Sequence, residues 1–184
     1  MTERPVLVLL NGIPASGKST LARVWCELQA ESLPLALDID KIRAMIGGWK
    51  TNPLEAGKAA RTIAVAAVRA HLCSGRDVIV PQYLRKADFI GELEETARYA
   101  NAAFVECALL IEHETAANRF SLRATFQQSG VEGELEHPMI SVHAEFERFM
   151  TGRHRAVRID ANLPYAAEEL DRFITIARSE KRNS

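Results

Sequence analysis

The run Gly12-Ile13-Pro14-Ala15-Ser16-Gly17-Lys18-Ser19-Thr20 follows the GxxxxGK[ST] pattern, whose residue types suit one task, the cradling of a polyphosphate. Glycines let the main chain turn tightly enough for successive N–H groups to point inward at phosphate oxygens. A helix opening near Lys18 adds its positive end. Lys18 then sets a full charge against the β and γ phosphates, and the Ser19 hydroxyl suits one position on Mg2+. Gly12, Ala15, Ser16, Gly17, Lys18, Ser19 and Thr20 are therefore the expected nucleotide contacts, with Ser19 as the metal ligand.

A second group follows in Leu35-Ala36-Leu37-Asp38-Ile39-Asp40-Lys41-Ile42-Arg43, where two carboxylates stand at the carboxyl end of a predicted strand. Open α/β sheets bind ligands at that edge. If the strand extends through the pair, alternation puts Asp38 and Asp40 on one side, with one acting on an acceptor hydroxyl and the other organising Mg2+-bound water. The competing reading makes Asp40 the cap of a helix over Lys41 to Ile46. Further along, Arg119 and Arg123 are four residues apart and share one helix face, from which they can close over phosphates as charge spreads onto the transferred group. Beside them, residues 128–138 carry two glycines and three glutamates and read as a loop, so a hinged lid over about 113–138 is expected.

These residues need a frame. Val6 to Leu10 is a continuous apolar run of the kind that forms a strand buried on both faces. Similar runs follow at Leu35 to Leu37, Val78 to Val80, Ala103 to Leu110 and Val157 to Ile159, each separated from the next by a helical stretch. That alternation predicts an α/β fold, a parallel sheet with helices on both faces. Helices are expected over Lys18 to Glu31, with Leu21, Val24, Trp25 and Leu28 inward, and over Glu55 to Ser74, with Ile63, Val65, Val68 and Leu72. Others are expected over Phe89 to Ala100, His113 to Gln127, Pro138 to Met150 and Ala166 to Ala177.

The length of 184 residues fits a single domain, and 23 Lys+Arg against 24 Asp+Glu give no general attraction to nucleic acid or an anionic membrane. The opening residues hold no apolar run long enough for a signal peptide or a membrane span, so the expected location is cytoplasmic. Cys26, Cys73 and Cys107 are odd in number and far apart, which suits reduced thiols. His113, His137, His143 and His154 follow no metal-ligand spacing and are read as surface residues.

Together the loop, the acidic pair and the arginine helix resemble the small P-loop kinase family that includes polynucleotide kinases, chloramphenicol phosphotransferase and zeta-type toxins. The resemblance spans nearly the whole chain. It implies a P-loop NTPase fold with five parallel strands and a helical lid, ATP with Mg2+ as the nucleotide, and a base at Asp40. It also implies a substrate-side arginine at Arg43 and lid arginines at Arg119 and Arg123. Many relatives carry an aspartate at the end of the third strand, where this chain has Pro81-Gln82-Tyr83. Either Ser19, phosphates and water hold the metal, with Asp38 or Asp40 as outer partner, or catalysis is weakened. Gln82 and Tyr83, at the ligand edge, become candidate substrate contacts beside Asp38 and Arg43. Trp49 either stacks on the acceptor or fills the core, and Arg153, His154 and Arg155 precede the last strand, near where relatives hold adenine.

The function expected is phosphoryl transfer from ATP to a hydroxyl of a small molecule, with Asp40, Lys18 and Arg123 as catalytic residues. The alternatives are a polynucleotide 5′-hydroxyl kinase, which the near-neutral charge disfavours, and a nucleotide-binding accessory protein without an acceptor.

Overall fold

A computed structural model describes residues 3–126 and 138–180, with the side chains of 123–126 left aside. The strands are β1 (Val6–Asn11), β2 (Leu35–Ala36), β3 (Val78–Gln82), β4 (Ala103–Leu110) and β5 (Val157–Asp160), all parallel, in the order β2-β3-β1-β4-β5. Helices α1 (Lys18–Leu28), α2 (Ile39–Met45), α3 (Pro53–Cys73), α4 (Asp88–Tyr99), α5 (His113–Phe126), α6 (Met139–Thr151) and α7 (Ala166–Ser179) make the connections.

Period-two alternation along β1 divides the core between two faces. Val6, Val8 and Leu10 point to α1 and α7, against Trp25, Leu170 and Ile174. Leu7 and Leu9 point the other way, to α3 and α4. All six residues of β1 are buried, as its unbroken apolar run requires. Beyond the carboxyl end of β4, α5 and α6 close a third cluster around Ile13, Ala116, Val142 and Phe146.

Two helices bury only part of the stripe expected of them: Leu21 and Trp25 of α1 and Val68 and Leu72 of α3 face inward as expected, but the rest differs. In α1 the inward residues are Leu21, Ala22 and Trp25, while Val24 and Leu28, the last residue of the helix, are exposed. In α3 the buried stripe is Ala56, Ala60, Ala64, Val68 and Leu72, every fourth residue, and Ile63 is exposed. Alanines let the helix backbone approach its neighbours closely, so the smaller side chains face inward.

At the edge of the sheet opposite the phosphate loop, Asp77 ties three elements. Its Oδ1 accepts from the Val6 N–H at 2.8 Å, and its other oxygen pairs with Arg178 of α7. Asp171 of α7 accepts from both the Trp25 indole N–H of α1 and the amide of Gln29, the residue that follows α1, each at 3.1 Å. These contacts fasten α1 and α7 to the sheet far from any chemistry.

Candidate active site

Residues 12–17 join the end of β1 to α1, and their backbone is that of a binding loop. Ala15 and Gly17 both adopt left-handed conformations, with φ of 61° and 97°. Gly17 does so freely, whereas Ala15 carries the strain that L-residues meet in this region. Alternation of left-handed with ordinary residues turns consecutive N–H groups toward one point, forming an anion nest. Gly12 is required by proximity, since a Cβ there would lie 2.9 Å from the Leu109 carbonyl oxygen and 2.9 Å from Ser16 Oγ. Lys18 Nζ donates to the Ile13 carbonyl at 2.7 Å and to Ser16 Oγ at 3.4 Å, so the ammonium lies folded over the loop.

Asn11, the last residue of β1, is fully buried and clamps the loop, a role that the sequence reading missed. Its Oδ1 accepts from the N–H groups of Gly12 and Leu84, both at 2.9 Å, and its Nδ2 donates to the Leu84 carbonyl at 3.2 Å. One amide thereby fastens the start of the phosphate loop to the segment following β3. A lone polar residue closing an otherwise apolar strand was the available signal.

The acidic pair takes neither form expected of it. Strand β2 ends at Ala36, so strand alternation does not align the two carboxylates, and helix α2 begins at Ile39 with Asp38 as its cap. Asp38 Oδ1 accepts from the Asp40 N–H at 3.1 Å, and Asp38 Oδ2 accepts from the Ser19 hydroxyl at 3.1 Å. Capping therefore falls to Asp38, which also reaches the loop residue expected to bind metal. Asp40 stands exposed in the first turn of α2, 3.2 Å from Arg43 Nη2.

On the far side of the loop, Ala15, Ser16, Gly17 and Thr20 share a cavity of about 390 Å3 with Arg119 and with Leu163 and Pro164 after β5. Arg119 Nη2 donates to Asn162 Oδ1 at 3.5 Å, which links α5 to that segment. Arg123 lies in the last turn of α5, and its side chain falls outside the described set, as do most of the expected lid loop and His137. Gln82 ends β3 beside Asn11 in register, and its Oε1 is buried without a partner. Tyr83 is half-buried toward α6. Its hydroxyl donates to the Val142 carbonyl at 3.4 Å, its ring lies 6.2 Å from that of Phe146, and burial raises its phenol above the ordinary value.

Two further expectations change. Arg153 pairs through two nitrogens with the buried carboxylate of Glu106, in a cavity that also includes Glu180 at the end of α7. It therefore lies toward the edge opposite the phosphate loop, away from the cavity that adjoins the loop. His113 and His143 are half-buried with ring centroids 5.9 Å apart, joining α5 to α6, and only His154 of the described three is exposed. Trp49 is half-buried, neither in the core nor fully open.

A family model described as an AAA domain matches residues 7–138, from β1 to the start of α6. No curated protein matches the sequence. Among solved structures, the fold is similar to a gluconokinase from Sinorhizobium meliloti 1021, with 17% identity, 97% of this chain and 94% of that chain covered, and a TM-score of 0.59. It is similar to shikimate kinase from Acinetobacter baumannii in complex with shikimate, with 15% identity, 99% and 97% coverage and a TM-score of 0.63. The Mycobacterium tuberculosis APS kinase in complex with AMPPNP and APS shares 16% identity over 96% of this chain and 99% of that chain, with a TM-score of 0.63. The chain belongs to the AAA-domain family, and its fold is that of the small P-loop kinases.

Proposed function

We propose that the chain is an ATP-dependent kinase that phosphorylates a hydroxyl of a small molecule, with Asp40 as the base. The observation that carries this reading is the hydrogen-bonded path Ser19–Asp38–Asp40, which links the phosphate loop to the acidic start of α2.

The residues present fit Mg-ATP. The Gly12 approach to Leu109 leaves no room for a Cβ, and the left-handed pair Ala15 and Gly17 is the geometry of an anion nest. Residues 12–20 would hold the phosphates, Arg119 and the segment around Leu163 would flank the nucleotide, and Ser19 with Asp38 would hold magnesium. When bound, Mg-ATP supplies the transferable γ-phosphoryl group, with magnesium screening its charge. Lys18 releases the Ile13 carbonyl and sets its ammonium against phosphate oxygens. Asp38 holds Ser19 and caps α2, which leaves the Asp40 carboxylate unencumbered by capping. Asp40 takes the acceptor's proton as its oxygen attacks, and Arg43 orients that carboxylate. Arg119 and Arg123 stabilise the negative charge spread over the moving group and exclude water. Neighbours named as gluconokinase and shikimate kinase are in keeping with a small hydroxylated acceptor.

The test pairs binding with turnover. Asp40→Asn is expected to retain nucleotide affinity while lowering transfer to any accepted hydroxyl compound by about 10²- to 10⁴-fold. Transfer within about threefold of wild type removes Asp40 from the role of base.

A further inference from the structure

Strands β4 and β5 differ in length, and the difference leaves part of the sheet without a neighbour. Strand β4 pairs with β1 from Ala103 to Ala108, but β5 begins only at Val157, opposite Cys107. Residues 103–106 therefore have no strand on their outer side. Two hydrogen bonds show which of their groups face that gap. The Ala103 N–H donates to the Pro5 carbonyl on the β1 side, whereas the Leu110 carbonyl accepts from the Ala161 N–H on the β5 side, both at 2.8 Å. Along a parallel strand, alternate residues turn their backbone groups to opposite neighbours. The N–H groups of Phe104 and Glu106 and the Phe104 carbonyl thus point outward, where no strand of the sheet meets them.

A cavity of about 940 Å3 lies against this edge, and its two walls differ in chemistry. On the α7 side stand Phe173 and Ile176, the latter 47% exposed, and on the α4 side stand Glu94 and the Glu106–Arg153 pair. The ends differ as well. The turn 153–156, in which the Ala156 N–H returns to the Arg153 carbonyl at 3.1 Å, closes the end where β5 starts. It carries His154 and Arg155, both exposed and in no ion pair among the described residues. The other end opens at Glu180, whose carbonyl shares Arg4 as a donor with the Ala102 carbonyl.

We propose that this notch binds the free C-terminus of another protein as a short strand, parallel to β4 and in line with β5. Unpaired strand edges are usually covered or guarded by charge, and here the edge is recessed between α4 and α7. A second copy's edge, recessed in the same way, does not reach it, whereas one extended chain does. Four residues at about 3.3 Å each span the open stretch. A chain running as β4 runs enters beside Glu180 and brings its terminal carboxylate to Arg155 and His154, where an unneutralised cation suits it. An internal segment meets the turn 153–156 instead. Main-chain bonds to Phe104 and Glu106 supply affinity, and alternate side chains supply selectivity. Those facing α7 are apolar, to cover Phe173 and Ile176. Those facing α4 are basic, because Glu106 is already neutralised by Arg153 and Glu94 is not. The notch stands at the edge opposite the phosphate loop, so the proposal does not depend on the kinase reading.

Hexapeptides randomised in sequence and displayed with free C-termini are panned on the full chain, and the enriched sequence is synthesised with a fluorophore at its N-terminus. Apolar residues at every second position, with Lys or Arg between them, are expected. Amidation of the terminal carboxylate should weaken the affinity read by anisotropy at least about tenfold, as should Arg155→Ala. Ile176→Glu, on the α7 wall, should weaken it as well. Urea midpoints and affinity for a nucleotide analogue, both expected to match wild type, report that the variants are folded. N-methylation along the peptide tests the strand geometry without altering the protein, and it should abolish binding only at alternate amides, those that face β4. No enriched sequence, equal affinity for the amidated peptide, equal affinity in either variant, or a uniform response to N-methylation overturns the proposal.

Discussion

Truncation of Asn11 to alanine tests whether one buried amide holds the phosphate loop in register with the end of β3. The side chain is wholly inaccessible and makes three hydrogen bonds, at 2.9, 2.9 and 3.2 Å. Its removal leaves the Gly12 and Leu84 N–H groups without their acceptor and the Leu84 carbonyl without its donor. Each buried amide so stranded costs about 1–3 kcal/mol, and water entering the small void recovers part of that, so a loss of about 2–4 kcal/mol is expected. For a chain of this size each kcal/mol lowers Tm by about 2–4 °C, so the midpoint should fall by roughly 5–15 °C. Urea unfolding monitored by circular dichroism measures the change, with an unaltered slope showing that the same surface is exposed. Asn11→Asp sharpens the test, because it keeps an acceptor for both N–H groups yet sets a carboxylate beside the anion nest. Nucleotide affinity should fall at least about tenfold in that variant. A loss of stability below about 0.5 kcal/mol in Asn11→Ala would refute the reasoning, since surface substitutions lie in that range.

Gly12→Ala places a methyl 2.9 Å from the Leu109 carbonyl oxygen, so it should cost about 1–3 kcal/mol in urea unfolding and weaken nucleotide binding. Unchanged calorimetric affinity would contradict the close approach. Burial raises the Asp77 carboxyl above its ordinary value, while the Val6 N–H and Arg178 oppose the rise. The folded state thus keeps a proton that the unfolded chain has released. This contribution is present below the ordinary carboxyl value and declines as pH rises through the folded one. Arg178→Leu removes one opposing charge and should move that decline to higher pH, and a pH-independent effect in urea midpoints would contradict it. Thiol titration of the native protein should find Cys73 reacting fast, because Cys73 is exposed, Cys107 is buried and burial pushes Cys26 up to about 11. Rapid modification of all three would contradict the packing around β4 and α1.

Much of the frame was legible because its signals are local. Five apolar runs became five parallel strands, and the phosphate loop lies where a strand passes into a helix. Helix facing was harder to read. The inward stripe of α3 is mostly alanine, so hydrophobicity pointed to Ile63 when close approach selected Ala56, Ala60 and Ala64. The acidic pair was ambiguous because strand extension and helix capping both accept Asp38-Ile39-Asp40. The choice was made by tertiary contact, since the Asp38 carboxylate bridges the Ser19 hydroxyl and the α2 backbone. Arg153 was misplaced because chain order put it just before β5, whereas its partner Glu106 lies in the first half of β4, 47 residues away. Contacts of that span leave no mark in a local pattern.

Calorimetric titration with Mg2+ and a non-hydrolysable ATP analogue, on wild type and on Lys18→Ala, probes the account most directly. The loop of residues 12–20 predicts saturable binding by the wild type and a loss of at least about tenfold in affinity when the Lys18 ammonium is removed. Absence of binding by folded wild-type protein, or equal affinity in the two proteins, would contradict it.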